Sequence, residues 1–155
     1  MARVSRKGVR FVSRFEGFRS CPYRDAVGVW TVGFGETKGV GPNTPCISER
    51  KARRKLKRRL THDYARPAWK LIKAPLTRCE RDALASFTYN VGLGNLQNST
   101  LRKRLNGPSA RSREVRRNIF REELPRWTNG GLAGLVKRRH AEVRMAVHGD
   151  YSARP

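Results

Sequence analysis

Carboxylates are scarce in this sequence. Twelve Asp and Glu stand against 35 Lys and Arg in 155 residues, for a formal net charge of +23. Such a chain seeks polyanions, whether nucleic acid, anionic membrane or anionic bacterial cell wall, and charge alone does not choose among them. Long apolar runs are also missing. None approaches the roughly 18 residues that span a bilayer. The N-terminus, MARVSRKGVRFVSRFEG, has cations but not the continuous apolar stretch of a secretory signal. Cysteine is limited to three, and no CxxC or Cys/His cluster suggests a zinc site. The cysteines read either as three free thiols, in keeping with cytoplasmic synthesis, or as a Cys21–Cys46 bridge around one small subdomain. No internal repeat is visible, and the length suits one compact domain.

Against this background the acids in Glu16–Thr31 (EGFRSCPYRDAVGVWT) stand out. Glu16 is followed after eight residues by Asp25, and after five more by Thr31. Val4, Phe11, Phe15 and Phe18 recur near helical spacing, which predicts an amphipathic helix over residues 3–15 with a stop at Gly17. Glu16 then falls at a helix C-terminus, where the macrodipole disfavours a carboxylate, and Phe15, Phe18 and Trp30 are near enough in sequence to desolvate it. Residues 23–40 alternate apolar side chains with glycines and predict a small antiparallel sheet of two or three strands. Val29, Thr31 and Gly33 would share one face, and Trp30, Val32 and Phe34 the other. Asp25 would precede one strand and Thr31 would lie on it. A general acid on one side, with a carboxylate and a hydroxyl holding water on the other, is the equipment of glycoside hydrolysis. Two solvated surface acids and an ordinary β-forming threonine are the plain alternative.

The remainder reads as helices. Ser48 caps a helix whose narrow apolar stripe is Ala52, Leu56 and Leu60. Its basic run ERKARRKLKRR is either a solvated face or a wall-binding surface. A separate helix is predicted over 62–73, with no role for His62 or Asp63. Thr77 and Glu80 form a capping-box pattern before a helix with Leu84, Phe87 and Val91 buried. Asn98, Ser99 and Thr100 offer a cap for a helix ending at Leu105, and a further basic helix covers 110–124. Trp127 reads as a core residue. Leu132, Leu135, Val136, Val143 and Val147 mark a long final helix with His140 packed on its apolar stripe, before a frayed tail, GDYSARP. The total is one β region and about seven helices, an α+β, mostly helical class.

The run FEGFRSCPYRDAVGVWTVGFGETKGVGP resembles the active-site segment of the phage-type lysozymes, the endolysin muramidases of glycoside hydrolase family 24. That family's pattern is Glu, eight residues, Asp or Cys, five residues, Thr. PLTRCERDALASFTYNVG, NSTLRKRLNG and RWTNGGLAGLVKRRHAE resemble further family segments in the expected order. The resemblance implies a lysozyme-like fold in one domain over 1–155, with a small catalytic lobe at about 13–47 carrying a β-hairpin sheet. A larger helical lobe would cover about 48–150 and take in the N-terminal helix, with the cleft between the lobes. It implies hydrolysis of the β-1,4 bond between N-acetylmuramic acid and N-acetylglucosamine in peptidoglycan, by a monomer. Glu16 would be the acid, Asp25 the base or electrostatic stabiliser, and Thr31 the positioner of water. Gly35, Thr37, Tyr89, Asn90, Ser99 and Thr100 would contact sugar, although Tyr89–Asn90 read equally as core and cap, and Ser99–Thr100 as caps. No cofactor, metal or specific nucleic-acid partner is implied. Synthesis is expected in the host cytoplasm, with a separate membrane lesion giving access to the wall.

Two rivals remain at this point. One keeps the fold and changes the reaction, to a chitinase-like hydrolase or a lytic transglycosylase. The other is a non-enzymatic cationic module for nucleic acid or membrane, which has no need of Glu16, Asp25 and Thr31. One departure from the family pattern is Glu36, in GFGET, where a His is usual; an Arg or Lys partner is expected for it.

Overall fold

The structure is a computed structural model that describes residues 2–155. Helix α1 (Arg6–Glu16) starts where the Ser5 side chain accepts the Gly8 N–H, and it ends at Gly17. It buries Val9, Phe11 and Val12. Strands β1 (Arg19–Arg24) and β2 (Trp30–Gly33) form an antiparallel hairpin that pairs Tyr23 with Thr31 and Arg24 with Trp30. In place of a third strand there is a single bridge between Val32 and Glu36. Cys21 and Cys46 are disulfide-bonded, and Cys79 is free. Beside the disulfide, the Ile47 N–H donates to the Ser20 carbonyl at 2.7 Å. The hairpin is thereby tied to the start of the next helix.

That helix, α2 (Glu49–Arg59), is capped by the Ser48 side chain. It does not stop near residue 61, as the sequence reading expected. It runs on through a π-helical stretch (Leu60–Ala65) into α3 (Arg66–Lys70). Leu60, Thr61, Ala65 and Ala68 are all buried along this course, and no glycine or proline interrupts it before Pro67. A proline withdraws one N–H from the ladder, and the wider π register ends just ahead of it.

The central helix is α4 (Arg78–Val91), started by a complete Thr77–Glu80 capping box. It buries Ala83, Leu84, Ala85 and Phe87 and lies against α8 (Ala133–His148) and the π-helical stretch. Helices α5 (Leu93–Asn98), α6 (Thr100–Leu105) and α7 (Arg113–Glu123) follow it and complete the helical part. Glu80 also accepts from the buried Arg116 Nε at 3.1 Å, while Arg116 Nη1 donates to the carbonyls of Ala110 and Arg111.

Three further expectations are corrected. Burial on β2 does not alternate: Thr31, Val32, Gly33 and Phe34 are all buried. The strand's end is pressed onto α2, and a Cβ on Gly33 would come within 3.1 Å of Ala52 Cβ. His140 is exposed; the buried residues of α8 are Arg138, Arg139, Ala141, Glu142, Met145, Ala146 and Val147. The C-terminal tail is tied down rather than frayed. The Tyr151 hydroxyl donates to Asp82, which also receives the Ser5 N–H, and the Tyr151 carbonyl accepts from Arg14. Burial, followed by the negative Asp82, pushes the Tyr151 phenol well above its ordinary value.

Candidate active site

A cleft of about 810 Å³ opens between the loop after β2, the α2–π-helical segment and the end of α4. Of the residues expected to act on sugar, it is lined by Glu16, Gly35, Thr37 and Tyr89. Glu16 is the last residue of α1, so the helix delivers its carboxylate directly to the cleft. Arg138 Nη1 donates to Glu16 Oε1 at 2.7 Å. The other oxygen, Oε2, faces Gly35 and Tyr89: a Cβ built on Gly35 would lie 3.9 Å from Glu16 Oε2 and 3.9 Å from the Tyr89 hydroxyl. Gly35 has φ +76°, a conformation that side chains rarely adopt.

Arg138 is itself held from below. Its Nε donates to Glu142 Oε1 at 3.3 Å and its Nη2 to the Ser86 carbonyl. Glu142, fully buried, also accepts from Ser86 Oγ at 2.7 Å and Arg139 Nη2 at 3.0 Å. Burial pushes the Glu142 carboxyl up from its ordinary value, against the pull of Arg139 and Arg138, and burial pushes Arg139 down. The Arg139 guanidinium lies 5.1 Å from the Phe87 ring centre and that of Arg138 lies 5.6 Å from Phe15. A guanidinium can face two carboxylates because its fork presents donors in several directions. Arg138 thus connects the cleft acid to a buried anchor.

On the hairpin, Asp25 and Thr31 are joined through the backbone of Val29. Asp25 Oδ1 accepts the N–H groups of Val27 (3.0 Å) and Val29 (2.8 Å). The Val29 carbonyl accepts both the Asp25 N–H and the Thr31 hydroxyl, each at 3.0 Å. Asp25 Oδ2 has no hydrogen-bond partner among the described residues, so only one oxygen fixes the turn. Neither Asp25 nor Thr31 lines the cleft that holds Glu16. They stand on the hairpin that leads into its wall.

Asn90, Ser99 and Thr100 are outside that lining. Ser99 is buried, and its hydroxyl donates to the Leu96 carbonyl and accepts the Arg102 N–H, so it caps α6. Trp30, named as a possible cover for Glu16, lies instead by Arg24, 5.2 Å from its guanidinium.

Several cleft residues had no assigned role in the sequence. Arg59 is the partner that Glu36 lacked, with Nη1 at 3.1 Å from Glu36 Oε2. It also donates to the Phe34 carbonyl and to the Tyr89 hydroxyl. Burial works against its charge, but Tyr89 and Glu36 outweigh that and hold the guanidinium above its ordinary value. Burial pushes the Tyr89 phenol up to about 12, so it remains a hydrogen-bond donor across the physiological range. His62, Asp63 and Tyr64 complete the far wall. The one sequence signal for Arg138 was its i,i+4 spacing to Glu142. Among the described residues no group of three or more His, Cys, Asp or Glu could hold a metal ion, and no helix is long and apolar enough to cross a membrane.

Known proteins share this arrangement of sequence and fold. The chain is 33% identical over 152 residues to the endolysin of Bacillus phage B103, covering 95% of this chain and 55% of that protein's length. It is 33% identical over 157 residues to an endolysin of Acyrthosiphon pisum secondary endosymbiont phage 1, covering 92% and 96%. The solved endolysin from Escherichia coli O157:H7 phage FAHEc1 superposes with a TM-score of 0.81 at 28% identity, over 97% of this chain and 96% of that one. The profile described as phage lysozyme matches residues 13–142, from the end of α1 through Glu142, and the chain belongs to that family.

Proposed function

We propose that this protein cleaves the β-1,4 bond between N-acetylmuramic acid and N-acetylglucosamine in bacterial peptidoglycan, using water in a single displacement that inverts the anomeric centre. One observation carries the reading: an anchored acid faces the cleft, while the Asp25–Val29–Thr31 brace lies on the adjoining hairpin. Glu16 gives its proton from Oε2, the oxygen free of Arg138, to the glycosidic oxygen as the bond to C1 breaks. A water on the opposite face of the sugar uses a lone pair to form the new bond to C1. It donates one hydrogen to Asp25 Oδ2. Its other hydrogen points to a lone pair of Thr31 Oγ1, whose own hydrogen is committed to Val29. Glu16 ends ionised and Asp25 protonated, and exchange with solvent restores both. A hydroxyl placed to aim water has no use in a mechanism where the second carboxylate attacks directly. Gly35, Thr37 and Tyr89 would contact the sugar rings. The site of action would be the wall, reached after synthesis in the host cytoplasm and permeabilisation of the membrane.

Time-resolved NMR of the newly released reducing end tests this. The α-anomer is expected first, before mutarotation. A β-anomer first would show retention and remove the role of Thr31. Product mass separates hydrolysis from transglycosylation, because an anhydro-sugar product lacks one water.

A further inference from the structure

A second concave surface lies on the other side of α2. It is a groove of about 470 Å³ between α1 and α2, lined by Arg6, Arg10, Arg50, Arg53, Arg54 and Lys57, with the buried Val9 beneath. The helix has three faces. Ala52 and Leu56 face the core, Arg50, Arg54 and Lys57 face α1, and Lys55, Arg58 and Arg59 face the catalytic cleft. The two basic faces are connected. A shallow depression shares Arg54 and Lys57 with the groove, and Arg58 and His62 with the cleft.

The only carboxylate on the groove, Glu49, is paired with Arg53. Among the described residues Arg6, Arg10, Arg50, Arg54 and Lys57 have no carboxylate partner. Like charges at i,i+4, such as Arg50 and Arg54, repel and destabilise a helix. The groove therefore gathers uncompensated positive charge at one place, and a bound anion would relieve it.

The composition of the groove identifies the anion. Five of its six cations are arginines, whose planar forks match phosphate oxygens bidentately. No aromatic side chain lines it, so it offers no platform for stacking nucleic-acid bases. Its apolar element, Val9, is buried and presents nothing to insert into a membrane. The aliphatic stems of the arginines suit short aliphatic linkers between phosphates. We propose that the α1–α2 groove binds a polyol-phosphate polymer, the teichoic-acid type of wall chain. The basic depression then holds that chain alongside the cleft. Binding at the groove does not depend on the hydrolytic mechanism, so the two can fail separately.

The test is titration of synthetic poly(glycerol phosphate) into the folded protein at several salt concentrations. The triple variant Arg10→Gln, Arg50→Gln, Arg54→Gln is compared with Arg111→Gln, Arg113→Gln, Arg121→Gln, which removes the same charge from the exposed region around α7. Glutamine keeps helix propensity, and none of these residues lies in the catalytic machinery. The groove triple should bind about tenfold or more weaker, with its log–log salt slope reduced by about 2. The α7 triple should change binding less than about threefold, and both should cleave short phosphate-free peptidoglycan fragments like wild type. Should the groove triple fail to fold, Arg54→Gln alone should show the same direction of change. Equal losses in the two triples would overturn the site in favour of diffuse charge. Tighter binding to single-stranded DNA of equal phosphate number, or to anionic vesicles, would overturn the assigned polymer.

Discussion

On the hairpin side of the cleft, Asp25 is fixed by backbone hydrogen bonds in a turn whose Val27 is 82% exposed and Val29 45% exposed. On the helical side, Glu16 is fixed by a guanidinium 6% exposed, resting on a carboxylate that is 0% exposed. The first arrangement is local: seven residues, Asp25 to Thr31, contain it. The second joins α1, α4 and α8, and its hydrogen-bonded partners lie up to 122 residues apart in sequence. The difference matters because desolvated charges depend on one another. Removing one partner leaves another buried without compensation, whereas an exposed turn can exchange a lost bond for water. Mutations that remove the buried Arg138–Glu142 support should therefore reduce stability and activity together, and mutations on the hairpin side should reduce activity alone.

The largest effect expected from that contrast is Glu142→Ala. It strands the buried Arg139 guanidinium, leaves Arg138 with Glu16 alone, and should cost about 3–5 kcal/mol by urea denaturation, with wall-lysing activity falling as Arg138 loses its anchor. A loss below about 1 kcal/mol would show that the network does not hold this side. Next comes Asp25→Asn. The amide oxygen can still accept from Val27 and Val29, so stability should stay within about 0.5 kcal/mol, while activity falls about 10²–10⁴-fold for want of a base. A matching loss of stability would erase the contrast between the two sides.

The smallest effect is at the C-terminus. Hydrogen bonds from Ser152, then Arg144, hold the Asp150 carboxyl down to about 2. Its folded value is depressed, so its contribution is present above the unfolded value of about 3.9 and is lost as pH falls through about 2. The melting temperature of wild type should exceed that of Asp150→Asn slightly at pH 5, and the gap should close towards pH 2. The group is exposed, so the gap is small. A gap unchanged at pH 2 would exclude this origin.

The hairpin, most caps and the helix pattern were legible because they rest on local chemistry: Ser48, Thr77 and Ser99 each cap where a side-chain oxygen meets an unpaired N–H. Glu16, Asp25 and Thr31 were singled out by their spacing and the family they resemble. Their supports were not. Arg138 and Arg139 look like surface residues in KRRH, and periodicity counts a charged residue as exposed, so His140 was placed on the wrong face. Beyond the i,i+4 spacing of Arg138 to Glu142, nothing local announces that Glu142 will be buried with both arginines or that Tyr151 will reach Asp82. Arg59 sits in a run of six cations in seven residues, Arg53 to Arg59, and only the fold separates the one that meets Glu36 and Tyr89.

The most direct test of the central claim, that Glu16 held by Arg138 supplies the proton, is bacterial-wall turbidity clearance by Glu16→Gln beside wild type, with thermal melts of both. The amide keeps the size and an acceptor for Arg138 but has no acidic proton to give. Clearance should fall by about 10² or more, with melting shifted by no more than about 4 °C. Clearance near the wild-type rate from a folded Glu16→Gln protein would contradict the account.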